Sequence, residues 1–236
     1  MNNKRIFDKE IDELKDMILK MGVLVQSLIH KSIDALKKQD MDIAQSVISE
    51  GEKVDQLDVE INEKCIQLIA LRQPEASDLR FLMTGIRIST DLERIGDLAE
   101  DIAQRVGELA GKPLLKPLVD IPKMDQLVEN AVSLVLDAFI KKDAVKAKTV
   151  WTIEKQVDEL RDSVQDELAD IMNKKPDSVP QALPLLLISR HLERICDHAT
   201  NIAEDVIYMV EGTIVKHNIE ELKKIIGEDW KEKKKV

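Results

Sequence analysis

The sequence predicts an all-α protein of two tandem, pseudo-symmetric three-helix bundles, each running up-down-up, and three observations carry that expectation. The first is composition. Aromatic residues make up 3% of the 236 positions and there are 8 Gly and 7 Pro, while Leu, Ile, Ala, Glu, Lys and Asp dominate. Strands want β-branched and aromatic runs, and the residues that dominate here favour helices. The second is an internal echo. Residues 91–106 read DLERIGDLAEDIAQRV and residues 191–206 read HLERICDHATNIAEDV, with Leu92/Leu192, Glu93/Glu193, Arg94/Arg194, Ile95/Ile195 and Asp97/Asp197 among the identities. The third is how the echo extends. Asp34/Asp137, Ala35/Ala138, Ala44/Ala147, Val54/Val157, Asp55/Asp158 and Leu57/Leu160 repeat at an offset of 103 instead of 100. The second copy therefore lacks three residues between the two blocks, and a loop is where a deletion is tolerated. The Pro74 and Pro176 regions, LRQPEASD and NKKPDSVP, are where that loop must lie.

The elements follow in order. Three long helices are expected in the first copy, at 7–38, 41–72 and 76–109. The second copy should match them with 121–141, 144–173 and 179–211. The breaks fall at Lys37-Lys38-Gln39-Asp40, at the Pro74 loop, at Lys141-Lys142-Asp143 and at Pro176. Short connections make consecutive helices antiparallel neighbours. The domain reading is a first repeat at 1–110, a proline-containing linker at 111–123, a second repeat at 124–212 and a charged tail at 213–236, in which one more short helix is expected around Ile219–Ile226. A period near 100 residues is too long for a solenoid of small helical repeats, so duplication of a three-helix domain is the simpler account.

Composition also excludes function classes. The net charge is −10, and three Phe, two Trp and one Tyr offer little for base stacking, so no nucleic-acid partner is expected. The basic end KEKKK, Lys231 to Lys235, reads as a frayed, solvated tail. Cys65 and Cys196 each stand alone in an apolar helical stretch and read as buried thiols of a reducing compartment. The N-terminal MNNKRIFDKEIDELKD has no signal-like apolar region, and no run of ~20 apolar residues could span a bilayer. The expected location is the cytoplasm, peripheral to a membrane at most.

The chemistry lies in the acids. At about 100° per residue, Ile188, Leu192, Ile195, Ala199, Ile202, Ala203 and Val206 gather into one apolar stripe on the last helix of the second copy. Glu193, Asp197 and Asn201 project on the opposite face. The last helix of the first copy repeats the picture: Glu93, Asp97 and Asp101 stack behind the stripe, with Glu100 alongside. The helix at 144–173 carries Glu154, Asp158, Asp162, Asp166 and Asp170 at every fourth position. Like charges at that spacing cost about 0.2–0.5 kcal/mol per pair. Solvation, Arg and Lys from neighbouring helices, or bound metal ions would each relieve that cost. Oxygen-only ligands suit hard or borderline cations such as Fe, Mn, Mg or Ca.

Other sites are excluded by spacing. None of the four histidines has Glu three residues before it, as a ferritin-like di-iron centre requires. His191 and His198 share a flank of their helix and read as packing residues. The sequence holds no HExxH, no glycine-rich phosphate loop, no GxSxG and no Cys–His pairing at useful spacing.

The duplicated three-helix unit, the two copies of LERI-x-D-x-A, the E(D)xxxD spacing and the closing NIAEDVIYMVEG together resemble the PhoU family of phosphate-signalling regulators, over about residues 8–212. The resemblance implies a cytoplasmic, non-catalytic negative regulator of phosphate uptake. Such a protein binds metal clusters and links a PstB-like ABC transporter ATPase to a PhoR-like sensor histidine kinase, commonly as a homodimer or larger oligomer. It implies that Glu93, Asp97 and Asp101 hold metal with Asp55 facing them, and that Glu193 and Asp197 do so opposite Glu154, Asp158 and Asp162. The implied ion is Fe, Mn, Mg or Zn. Asn201 stands where Asp101 has an acid, and Gly51 and Val59 stand where Glu154 and Asp162 do, so the two sites should differ, the first being the weaker or differently composed. Two other readings compete: a multinuclear metal-dependent hydrolase, and a structural helical adaptor whose acids are only solvated.

Overall fold

The computed structural model describes residues 2–215, and side chains within it from Ile6 onward. The helix expected near Ile219–Ile226 and the Lys231–Lys235 run lie outside the described residues. The first repeat consists of α1 (Asn2–Lys38), α2 (Met41–Arg72) and α3 (Ala76–Leu109). The second consists of α4 (Asp120–Lys141), α5 (Ala144–Lys148), α6 (Val150–Lys174) and α7 (Val179–Glu211), with a 3-10 turn at Pro176–Ser178 before α7. The described residues hold no strand.

Local chemistry sets the boundaries. The expected breaks before residues 41 and 144 are both N-caps: the Asp40 carboxylate accepts the N–H of Asp42 and Ile43, at 2.9 and 3.1 Å, and Asp143 accepts the N–H of Lys146 at 2.9 Å. α4 begins at Asp120, earlier than expected, because Pro122 falls in the first turn, where no backbone donor is needed. The helix expected across 144–173 is broken at Thr149. There the N–H groups of Thr149 and Thr152 reach back three residues to Lys146 and Thr149, and the Thr149 hydroxyl donates to the Lys146 carbonyl at 2.7 Å. The run Thr149-Val150-Trp151-Thr152-Ile153 is β-branched or aromatic throughout, so this is the stretch least suited to a regular turn.

The missing three residues resolve simply. In the first repeat α2 and α3 are joined by residues 73–75, with Gln73 in the left-handed region at φ 47°. In the second, α6 runs to Lys174 and the 3-10 turn starts at Pro176, so residues 73–75 are the ones without counterparts.

Consecutive long helices run antiparallel, as the ion pairs Lys31–Glu50, Lys64–Glu13 and Arg72–Glu10 between α1 and α2 record. The apolar stripes of both repeats feed one continuous core, with Leu92, Ile95, Leu192 and Ile195 wholly buried. Two helix pairs form the seam between repeats, α3 against α7 and α1 against α4. Phe81 of α3 stacks on Phe139 of α4, centroids 5.0 Å apart. The seam is pseudo-two-fold: Asp101 lies 3.9 Å from His191, and the repeat-related pair Asp91 and Asn201 meets at 3.3 Å. The linker is tied to both repeats. Gln39 donates to the Lys112 carbonyl, Gln181 donates to the Pro113 carbonyl, and Lys116 pairs with Glu167.

Candidate functional site

The groove between α2 and α3 holds the first acidic face. Asp55 from α2 and Glu93 and Asp97 from α3 each offer an oxygen within 4.8 Å of the others. Glu93 and Asp97 sit one turn apart on α3, four residues being about 40° beyond a full turn, and Asp55 meets them from across the groove. Burial first, and then the charge of Asp97, holds Glu93 and Asp55 above their ordinary values, with Asp58 adding to both. Arg94 flanks the trio from the solvent side, its guanidinium 3.3 Å from Glu93 and 3.2 Å from Asp97.

Glu100 belongs to this face and is the residue that helical projection undervalued. Its carboxyl is pushed up to about 7, by burial first and then by Asp55, Asp97, Asp101 and Glu52. It lies over Gly51 of α2, where any Cβ would overlap its carboxylate. The signal was present in the sequence as the missing acid at position 51. In repeat register Gly51 corresponds to Glu154, and Glu100 to Thr200. Glu154 is buried on α6, and Thr200 is buried on α7. One carboxylate therefore belongs to this slot of the groove in each repeat, delivered from the third helix in the first copy and from the middle helix in the second.

The remaining expected ligands are distributed less evenly. Asp101 turns toward α7 and His191 and away from the trio. Among the described residues, Glu154, Asp158, Asp162, Glu193 and Asp197 form no trio as tight as that of the first repeat. Arg161 bridges part of that row, 3.9 Å from Asp158 and 3.2 Å from Asp162. The five-acid ladder also rotates: each four-residue step advances about 40°, so it runs from buried Glu154 to Asp162 and Asp170, whose side chains are about two-thirds exposed. Register explains the contrast between the faces. Asp58 and Glu52 of the first stand where Arg161 and Lys155 stand in the second. Among the described residues, the first face holds the tighter trio, and it carries acids at two positions where the second carries Arg161 and Lys155.

His198 and His191 are seam residues. His198 Nδ1 lies 2.8 Å from Asp91 Oδ1, and burial holds His191 below its ordinary value. Cys65 and Cys196 are both buried, and burial pushes the Cys65 thiol up to about 12.

The fold and its grooves define a class: a duplicated helical-bundle protein that presents a half-buried carboxylate cluster between two helices of its first repeat. Comparison with known proteins narrows the class. The PhoU domain model matches residues 18–106 and 121–206, the two repeats, and the chain belongs to the PhoU family. A phosphate-specific transport system accessory protein PhoU homolog of Aquifex aeolicus is 44% identical over 209 residues, spanning 89% of this chain and 95% of that one. One from Clostridium acetobutylicum is 35% identical over 216 residues, spanning 91% and 99%. The crystal structure of PhoU from Pseudomonas aeruginosa superposes with a TM-score of 0.84 at 36% identity, covering 88% of this chain and all of that one. The phosphate transport system regulatory protein PhoU from Streptococcus pneumoniae gives 0.83 at 31% identity, covering 89% and 99%.

Proposed function

We propose that this chain is a non-catalytic regulator of phosphate homeostasis, an accessory protein of a phosphate transport system whose acidic grooves bind metal ions. The observation that carries the reading is the convergence of Asp55, Glu93 and Asp97, with Glu100 above them, on a rigid two-helix groove. Carboxylates that raise one another's protonation are relieved by a bound cation, which makes metal loading favourable there. Loading also offsets much of the local negative charge. That change supplies a physical switch for docking a PstB-like transporter ATPase and a PhoR-like sensor kinase in the cytoplasm, and for lowering phosphate uptake. The names of the relatives support the transport-system assignment. That no described helix is long and apolar enough to cross a membrane fits a peripheral partner.

The test is elemental analysis of protein purified without added metal, beside a variant with Glu93, Asp97, Glu193 and Asp197 all replaced by Ala. Wild type should carry Fe, Mn, Mg or Zn and the variant should lose it, together with retention of the transporter ATPase in pull-down. Equal metal content and equal retention would overturn the reading, as would turnover of phosphoesters by the metal-loaded wild type.

A further inference from the structure

A second cluster of ligand-type side chains lies outside the acidic grooves, at the seam where α1 of the first repeat crosses α4 of the second. His30 projects from α1, and Asp125 and Glu129, one turn apart, project from α4. Each offers a nitrogen or oxygen within 4.8 Å of the others, and His30 Nδ1 lies 3.0 Å from Glu129 Oε1. We propose that His30, Asp125 and Glu129 form a divalent-cation site that joins the two repeats, separate from the E(D)xxxD grooves and independent of their reading as metal sites.

Three observations support it. Asp125 is a carboxylate with 3% of its side chain exposed, and its Oδ1 has no hydrogen-bond partner. An unpartnered buried carboxylate oxygen is costly unless a proton or a cation offsets it. Lys37 pairs with the other oxygen, Oδ2, at 3.7 Å, which leaves Oδ1 unmet. Metal-free, Asp125 answers that cost by holding its proton up to about 7, through burial and then the charge of Glu129.

The second observation comes from the pseudo-two-fold. In the 103-residue register, Asp125, Glu129 and His30 correspond to Gly22, Gln26 and Ser133. The same helix crossing is therefore built without any of these ligands at its mate. There Gln26 and Ser133 border a mostly apolar hollow of about 280 Å³ with Leu19, Val23, Leu136 and Ile140, and the one acid on its lining, Asp137, is paired with Lys141 and Lys146. Packing α1 on α4 does not require a histidine and two acids.

The third is access. The His30 side chain is 62% exposed and Glu129 30%, so the buried carboxylate is reached past two ligands open to solvent, which leaves room for water to complete a coordination shell. One imidazole with two carboxylates suits Zn, Mn, Fe or Co in the divalent state better than Mg or Ca, which prefer oxygen alone. A bound ion would clamp α1 to α4 and tie the spacing of the repeats to metal supply.

The test uses the full chain, stripped by chelator and titrated with Zn²⁺. Imidazole resonances are followed by NMR, and stoichiometry by calorimetry. His30 ring signals should move and saturate in wild type and equally in Glu93→Gln/Asp97→Asn. Asp125→Asn should remove one equivalent of zinc and abolish the His30 shift. His30→Gln should remove the same equivalent, weakening the site by more than the roughly 10–100-fold that loss of an outer partner costs. Asp125→Asn keeps shape and removes a buried charge, so the fold should survive, as circular dichroism will check. A His30 signal indifferent to zinc, or one whose shift persists in Asp125→Asn, overturns the proposal. So does unchanged stoichiometry and affinity in both single variants.

Discussion

At the scale of single residues, the contact between Gly51 and Glu100 decides more than the acids that spell the motif. Gly51→Ala places a methyl where the Glu100 carboxylate lies. The displaced group is the free end of a flexible side chain, so metal-free stability should change by under about 1 kcal/mol. Divalent-ion affinity of the first groove should fall about tenfold. Calorimetric titration of the chelated variant beside wild type checks both parts, and unaltered affinity would remove Glu100 from the site. Cys65 and Cys196 should resist a thiol reagent in the folded protein and react on unfolding, since both are buried and the Cys65 thiolate is strongly disfavoured. Part of the candidate site's geometry was legible residue by residue, because the stacking of Glu93 on Asp97 follows from helical projection. Asp101 did not, since projection gives an angle around one helix and says nothing of which neighbour that angle meets. Its partner His191 comes from the other repeat, ninety residues along the chain. Asp125 was invisible for a related reason: a lone acid on an amphipathic helix reads as surface until the crossing helix covers it.

At the scale of elements, the caps and the α1–α2 ion pair carry the testable content. Asp40→Ala and Asp143→Ala each remove an acceptor for a helix's first free N–H groups and should each cost about 1 kcal/mol, read from the denaturation midpoint. Arg72 grips Glu10 with two nitrogens, at 2.9 and 2.7 Å, and that hydrogen bonding holds Glu10 below its ordinary value. A carboxyl lowered in the folded state contributes stability above its ordinary value and loses it as pH falls through the lowered one. Wild type should therefore be more stable than Glu10→Gln at pH 7, with the gap closing below pH 4. A gap independent of pH would contradict the assignment. The number of long helices and most boundaries were legible because Pro74, Pro176 and the capping aspartates mark them chemically. The break at Thr149 was not, because apolar periodicity runs through it unbroken from Ala147 to Val157 while the local β-branching acts on a single turn.

At the scale of the molecule, the core is continuous across the seam, so the two repeats should unfold as one. Leu92→Ala in the first repeat and Leu192→Ala in the second each open a cavity in that shared core, at a cost of about 2–5 kcal/mol. Either variant should lower a single calorimetric transition, and separate transitions for the halves would show the seam to be weaker than its packing indicates. The duplication was legible, since an offset that changes from 103 to 100 is a statement about one loop, while α4 begins at Asp120, inside the expected linker. The side-by-side arrangement of the halves was not. Residues such as Phe81 and Phe139 carry no mark in the sequence that they stack on each other and not within their own repeats.

The groove carboxylate supplied by α3 in one half and by α6 in the other limits how the halves can be exchanged. A chimera carrying α6 in place of α2 would bring Glu154 into the slot that Glu100 already fills, and the reciprocal graft would leave Gly51 facing Thr200 with no acid at all. Moving α2 with α3, or α6 with α7, keeps one acid per slot. The smallest transplantable part of this protein is thus a helix pair, and chimeras cut between the members of a pair should fold less stably than those cut outside it.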